Sequence, residues 1–427
     1  MELDQRLSRL GLKRPDILLP REGIDLKRWA VIACDQHTSN PDYWETLDKK
    51  IGEAPSTLRL VFPEVYLHER PVSEEAEAIG GRVRGYLDQG VFQEYPDTPV
   101  LVLRKSRDGA LRPGILFALD LEQYEYTPGS TTLVRASELT IESRLPPRVE
   151  IRESSPLELP HILVLIDDES SSVIEPLAER LPGESDPLYE TELLAGGGTV
   201  SGYAVDTKAL EKSFLPALEA LAQKRSSFLY AAGDGNHSLA AAKEVWERRK
   251  RAGAPMDHPS RWALVELVNL YTPGLNFEPI HRLLLGDGIE EVSRAIAKVA
   301  EESWEISSSR KALSEQEQRP AEERRREILL LQGANGRGFR LPESDILPIG
   351  VVDDAVGATS VEVDYVHGNE EVLRLAEERG GAAVVLPPID RGLLFPTVAQ
   401  RGVLPRKAFS LGHAEEKRYY MEARRIE

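Results

Sequence analysis

Short apolar runs rich in β-branched residues recur along the chain, and several stop abruptly in polar residues. They lie at 29–33 (WAVIA), 100–103 (VLVL), 115–119 (ILFAL), 162–166 (ILVLI), 227–232 (SFLYAA), 263–270 (ALVELVNL) and 383–386 (AVVL). Runs of this length between helix-like segments read as strands of a mixed sheet. The predicted fold class is α/β (α+β), a mixed central sheet with flanking helices and a smaller C-terminal subdomain. In such sheets ligands sit beyond the carboxyl ends of strands. Three junctions therefore stand out. WAVIA runs into Cys34-Asp35-Gln36-His37, ILVLI into Asp167-Asp168, and SFLYAA into Gly233-Asp234-Gly235-Asn236-His237.

The spacing predicts a helix over 237–251, with Asn236 as N-cap, Leu239, Ala242, Val245 and Trp246 as its apolar stripe, and Gly253 as a stop. A second helix is predicted over 289–302. The charged stretch SEQEQRPAEERRRE reads as an exposed helix or loop, and Asn335-Gly336-Arg337-Gly338 as a turn. At 427 residues the chain is long enough for two or three domains. The expected division is an α/β core over 1–290 that carries the site, a small α+β subdomain over 291–345, and a segment over 346–427 that packs back on the core.

Composition limits the partners. Lys and Arg number 53 against 71 Asp and Glu, a formal charge of −18. An acidic surface repels a polyphosphate backbone, so nucleic acid is not expected as a partner. The single cysteine, Cys34, allows neither an internal disulfide nor a multi-cysteine zinc site, and suits a reducing, cytoplasmic setting. With no apolar run of about 18 residues, no membrane association is expected. A homodimer is the base-rate expectation for oligomeric state.

Several groups could carry chemistry. The Gly233–Ser238 turn sets two glycines, a carboxylate, an amide, an imidazole and a hydroxyl at a helix start, where free N–H groups favour a phosphate. The plainer alternative is an Asp/Asn cap with a surface His. In the 135–161 segment Arg135, Arg144, Arg148 and Arg152 could grip an anion, with His161 at its end; the alternative is a solvated loop whose arginines pair with nearby glutamates. Pro146 and Pro147 favour an extended loop there. Asp168 is a candidate Mg²⁺ ligand, or simply part of a turn. Asp35 and His37 are candidate acid, base or metal-facing groups. Cys34 reads as a small buried residue rather than a nucleophile. Gly196–Gly198 reads as a flexible connector. Glu278, His281 and Arg282 form a polar cluster after the 263–270 run, with Glu266 a further buried carboxylate that Arg282 could neutralise. No HExxH, GxSxG or GxGxxG motif is present.

Three ordered motifs resemble those of the domain-of-unknown-function family DUF1015. These are Asp234-Gly235-Asn236-His237-Ser238, Pro273-Gly274-Leu275 to Pro279-Ile280-His281-Arg282, and Leu404-Pro405-Arg406-Lys407-Ala408-Phe409. They are similar to DGHHR, PGLxxxPTHR and PPKST of many members. The Ala33–His37 and Pro146–His161 regions look like the branch that writes the turn DGNHS. The turn is also similar to that of ParB-like proteins, which include free-serine kinases. That likeness implies a ParB/serine-kinase-like core, phosphate binding at the turn, ATP or ADP as phosphoryl donor, Mg²⁺, and transfer to a small hydroxyl compound such as serine.

The resulting expectation is a phosphotransferase for a small metabolite, with a phosphorylated small molecule as ligand. Asp234, His237, Asp35 and His37 would be its reacting groups. Gly233, Gly235, Asn236, Ser238, Arg144, Arg148, Arg152, His161, Glu278, His281 and Arg282 would bind phosphate or substrate. The alternatives are a nucleotide- or metabolite-binding regulator without catalysis, and a phosphoserine-type phosphatase. Here Asn236 and Ser238 stand where the resemblance has His and Arg, so the positive charge for phosphate must come from another residue.

Overall fold

The computed structural model describes every residue except Met1, His68, Ser226, Ile346, Pro405 and Arg406. Two residues of the late motif, Pro405 and Arg406, thus lie outside the described residues. The chain forms two compact units, one of residues 1–275 with 412–427 and the other of 276–411. The sequence predicts boundaries at 290 and 345. The division falls instead at 275, where the Phe277–Leu285 strand opens the second unit, and at 411, after which the chain returns to the first.

Both units are mixed α/β. In the first, Leu163–Ile166 and Trp262–Asn269 are buried along their whole lengths, as continuous apolar runs must be when both faces of a sheet are covered. The path through this sheet is 189–192, 199–204, 100–105, 111–120, 262–269, 163–166, 230–234, 134–136, 124–125. Trp262–Asn269 runs parallel to Leu163–Ile166 and antiparallel to Leu111–Asp120. The WAVIA run forms only a two-residue strand, Val31–Ile32, outside this sheet, because Leu26–Trp29 is helical. The 196–198 glycines are not a loose connector. They form a tight turn into Thr199–Ala204, closed by the Leu193 N–H on the Gly198 carbonyl at 2.8 Å.

Two pairings build the site. Tyr230–Asp234 runs antiparallel to Leu163–Ile166 with Asp234 opposite Leu163. The end of one strand therefore meets the beginning of the other, and His161, two residues before Leu163, comes beside the 233–238 turn. Near the end of the chain, Tyr419–Tyr420 pairs with Val31–Ile32, and the Ala33 N–H donates to the Arg418 carbonyl. That brings Lys417 and Tyr420 to the Cys34–Asp35 junction.

The Arg-rich segment corrects an expectation. Residues Leu145–Ser154 are a helix, with both prolines in its first turn. Proline is tolerated there because the first-turn N–H groups have no intrahelical acceptor in any case. Leu145 and Val149 pack on Ala240, Ala241 and Val245 of the long helix Asn236–Arg251. Arg144, Arg148 and Arg152, four residues apart, share one face.

In the second unit the sheet path is 302–306, 335–340, 327–332, 382–385, 277–285, 362–367, antiparallel throughout. Helices Ile289–Val299, Pro348–Gly357 and Asn369–Arg379 accompany it. Leu283, Leu329, Leu331, Val366, Leu373 and Val385 form its core. The 335–338 run is a strand, not the expected turn; the turn is Gly333-Ala334, since Gln332 pairs with Asn335. Gly338 is there because a Cβ would strike the Trp304 ring.

Candidate functional site

The long helix begins at Asn236, and its cap is Gly235 rather than the expected Asn236. Gly235 has φ +74°, a left-handed conformation that side chains disfavour, and an added Cβ would lie 3.1 Å from Ile162. No side chain caps the helix start. Asn236 is buried in the wall behind it, its amide donating to Ala232 O and Ser137 Oγ at 3.3 and 3.4 Å. The cap residue thus supplies no side-chain acceptor to the first turn of a sixteen-residue helix, a setting that favours an anion.

Around it the two pairings gather polar side chains. Lys417 Nζ donates to Asp234 Oδ2 at 3.0 Å, and Asp234 Oδ1 accepts the Gly235 N–H at 3.0 Å. His161, 7% exposed, has Nε2 at 3.0 Å from Ser238 Oγ and 3.6 Å from Asp35 Oδ2. Its Nδ1 lies 2.9 Å from Tyr420 Oη, which also accepts the Cys34 N–H at 3.2 Å. Burial opposes ionisation of Asp35, but His161, the Gln36 amide, Lys417 and Arg148 outweigh it and hold its pKa below the usual carboxylate value. Burial, reinforced by the charges of Asp35 and Glu64, pushes the Cys34 thiol up to about 12, so it stays protonated.

Of the residues expected from sequence, Asp35, His161, Asp234 and Ser238 come together here. His237 Nε2 accepts the Ile141 N–H at 3.2 Å. His37 stacks on Tyr43 with ring centres 3.7 Å apart, and burial lowers its pKa. Arg144 is exposed, and its carbonyl accepts from Arg148. Arg148 is engaged by Glu64, and Arg152 by Glu158 at 2.5 Å. Arg135 donates to Thr132 O and lies over the Phe228 ring. Asp168 closes its own turn, accepting the Ser172 and Val173 N–H groups and the Ser170 hydroxyl at 2.6–2.8 Å. Asp167 is held by Arg225 and Tyr271.

Glu278, His281 and Arg282 belong to the second unit. There Arg282 grips Asp353 with two bonds of 2.9 and 3.0 Å, and His281 Nδ1 accepts the Leu386 N–H. Glu266 is neutralised by Arg418 at 2.6 Å, not by Arg282.

Sequence reasoning missed Lys417, Tyr420 and Glu64. The available signal was the run of two cations and two aromatics in Lys417-Arg418-Tyr419-Tyr420, which reads as an exposed tail until its strand pairing is known.

Comparison with known proteins places the chain beside a family without an assigned activity. The model of the family described as "Protein of unknown function (DUF1015)" matches residues 18–355. No curated protein matches the sequence. Similar solved structures include a free serine kinase in complex with AMP, 13% identical, covering 73% of this chain and 92% of that one, with a TM-score of 0.35. Another is a conserved hypothetical protein from Pyrococcus furiosus, 14% identical, covering 72% and 90%, with a TM-score of 0.31. Among the described residues no helix is long and apolar enough to cross a membrane.

Proposed function

The chain belongs to the DUF1015 family of proteins of unknown function, and we propose that it transfers a phosphoryl group from a nucleotide to a small hydroxyl compound at the 233–238 turn. One observation carries this reading: an uncapped helix start with Lys417, His161 and Asp35 arrayed beside it. Phosphoryl transfer asks a protein mainly for positioning and charge stabilisation. The first-turn N–H groups and Lys417 bind the phosphate, Lys417 supplying the positive charge that Ser238 does not. His161 Nε2, bonded to Ser238 and free of the backbone, is a better base than His237. As the acceptor oxygen bonds to phosphorus, its proton passes to His161 and the bond to the departing nucleoside phosphate breaks.

A bound Mg²⁺ would neutralise charge on the phosphate oxygens. Such an ion takes one or two carboxylates and several phosphate or water oxygens, a requirement that Asp35 fits; Asp234 already has Oδ1 on the Gly235 N–H and Oδ2 on Lys417 Nζ. Asp168 does not fit, because its oxygens are taken by its own turn.

A second reading, nucleotide or metabolite binding without turnover, is favoured by the internal pairing of Arg148 and Arg152, which withholds both forks from a transferring phosphate. Product analysis with ATP, Mg²⁺ and a panel of small alcohols and hydroxy amino acids tests both. Phosphorylated product that falls about a hundredfold or more in Asp234→Asn and His161→Gln, with unchanged circular dichroism, supports transfer. Nucleotide binding with no product supports the regulator. Phosphate release from a phosphoester without nucleotide would mark water as the acceptor.

A further inference from the structure

A cavity of about 130 Å³ opens in the first unit against His161 and Ser238. Its body is apolar, built by Leu60, Phe62, Ile79, Pro147, Ile151 and Ala241. An apolar cavity of about 150 Å³ is enough for a benzene ring. The polar wall includes Ser238, His161, Cys34, Tyr420 and Ser155, and among the described residues no carboxylate stands unpaired on it. The two arginines that line the cavity face glutamates that also line it, Arg148 with Glu64 and Arg152 with Glu158. Arg424 also holds Glu158, so each glutamate on the wall has at least one arginine against it. The Cys34 thiol is protonated, so it adds no charge.

A zwitterion such as serine needs an anionic and a cationic partner where its charges are desolvated. Both glutamates of the cavity are already held by arginines, which leaves no carboxylate for an ammonium, and the rest is apolar surface suited to a hydrocarbon body. One end alone, at Ser238 Oγ and His161 Nε2, can exchange hydrogen bonds with a hydroxyl. We infer that the cavity binds an uncharged alcohol with a compact apolar body, the size of a benzene ring or a short branched chain, with its hydroxyl at His161 and Ser238. This names the acceptor of the reaction proposed above and rests on that reading for the acceptor's role. The binding preference is measurable without it.

The test is calorimetric titration of the full chain, without nucleotide, using benzyl alcohol, 3-methyl-1-butanol, ethanol and L-serine. The expected result is that benzyl alcohol and 3-methyl-1-butanol bind at least tenfold more tightly than L-serine, with affinity rising about fourfold per added methylene from ethanol upward. Ala241→Leu, or Ile151→Phe on the facing helix, fills the cavity and removes this binding while the thermal midpoint of unfolding holds. Serine binding as tightly as the alcohols, or no alcohol binding at all, overturns the inference. Alcohols that bind but are not phosphorylated with ATP and Mg²⁺ leave the cavity's preference standing and count against phosphoryl transfer, so the two failures are distinguishable.

Discussion

Around Glu266 each buried charge has an opposite charge against it, whereas around His161 the polar groups border a helix start and a cavity. In the first cluster Arg418 bridges Glu266 and Glu422 at 2.6 and 2.7 Å, Tyr189 donates to Glu422, and nearby Arg424 and Arg152 both hold Glu158. Of these, Arg152 and Glu158 line the cavity. In the second cluster Asp35 stands 3.6 Å from His161, the helix start has no side-chain cap, and His161 and Ser238 line a cavity. Burial of charge alone therefore does not mark a site in this protein. Polar groups beside a helix start and open space do.

The comparison breaks most easily at Arg418. Arg418→Met strands Glu266 and Glu422 in the core, and the expected loss is about 3–5 kcal/mol of stability, read by urea denaturation. A loss below about 1 kcal/mol would mean that the closed cluster is not closed. The second unit offers a control without any ligand chemistry. Burial, with Arg282 and His367 adding positive charge, lowers the pKa of His281 to about 4. Its folded value lies below its unfolded one, so its neutral form stabilises the fold fully above about pH 6.5, and that stability is lost as pH falls toward 4. The expected loss between pH 7 and pH 4.5 is roughly 2.4 kcal/mol, present in the parent and absent in His281→Gln, measured by denaturation at the two pH values.

Lys417→Met probes the open cluster. It is expected to lower turnover about a hundredfold, comparable to removing one charge-stabilising donor. Stability should change by no more than about 1 kcal/mol, because Asp234 keeps access to water. A large stability loss with turnover intact would reverse the assignment of the two clusters. The smallest effect belongs to Cys34: with its thiol pushed up to about 12, alkylation by iodoacetamide at pH 7.5 should be slow until the protein is unfolded.

Much of this was legible in the chain. All seven apolar runs contain strands, the 236–251 helix ends as its Gly253 signal suggests, and Asp35, His161, Asp234 and Ser238 were named before their meeting point was known. Strand ends are legible because a buried run must stop where polar residues begin. What was illegible depends on pairing across distance. Lys417 reaches Asp234 across 183 positions, through a strand of two residues that has no measurable period. Pro146 and Pro147 misled because a proline pair is equally compatible with an extended loop and a helix's first turn; only the partner face, Ala240 to Val245, decides. Gly338 looked like a turn because its function, room for Trp304, lies on another strand.

The return of residues 412–427 to the first unit has a consequence in time. Between Leu275 and Gly412 the whole second unit must be synthesised, which at about 5–20 residues per second takes roughly 7–27 s. Throughout that interval the nascent first unit holds Glu266 without Arg418, and His161 without Tyr420. A copy that stalls before residue 417 keeps a buried acid in its central sheet faced only by Arg112 at 3.8 Å and lacks the lysine at the turn. Completion of the sheet and completion of the site are therefore a single late event, and a truncated copy remains open to proteolysis instead of persisting as a folded, inactive one.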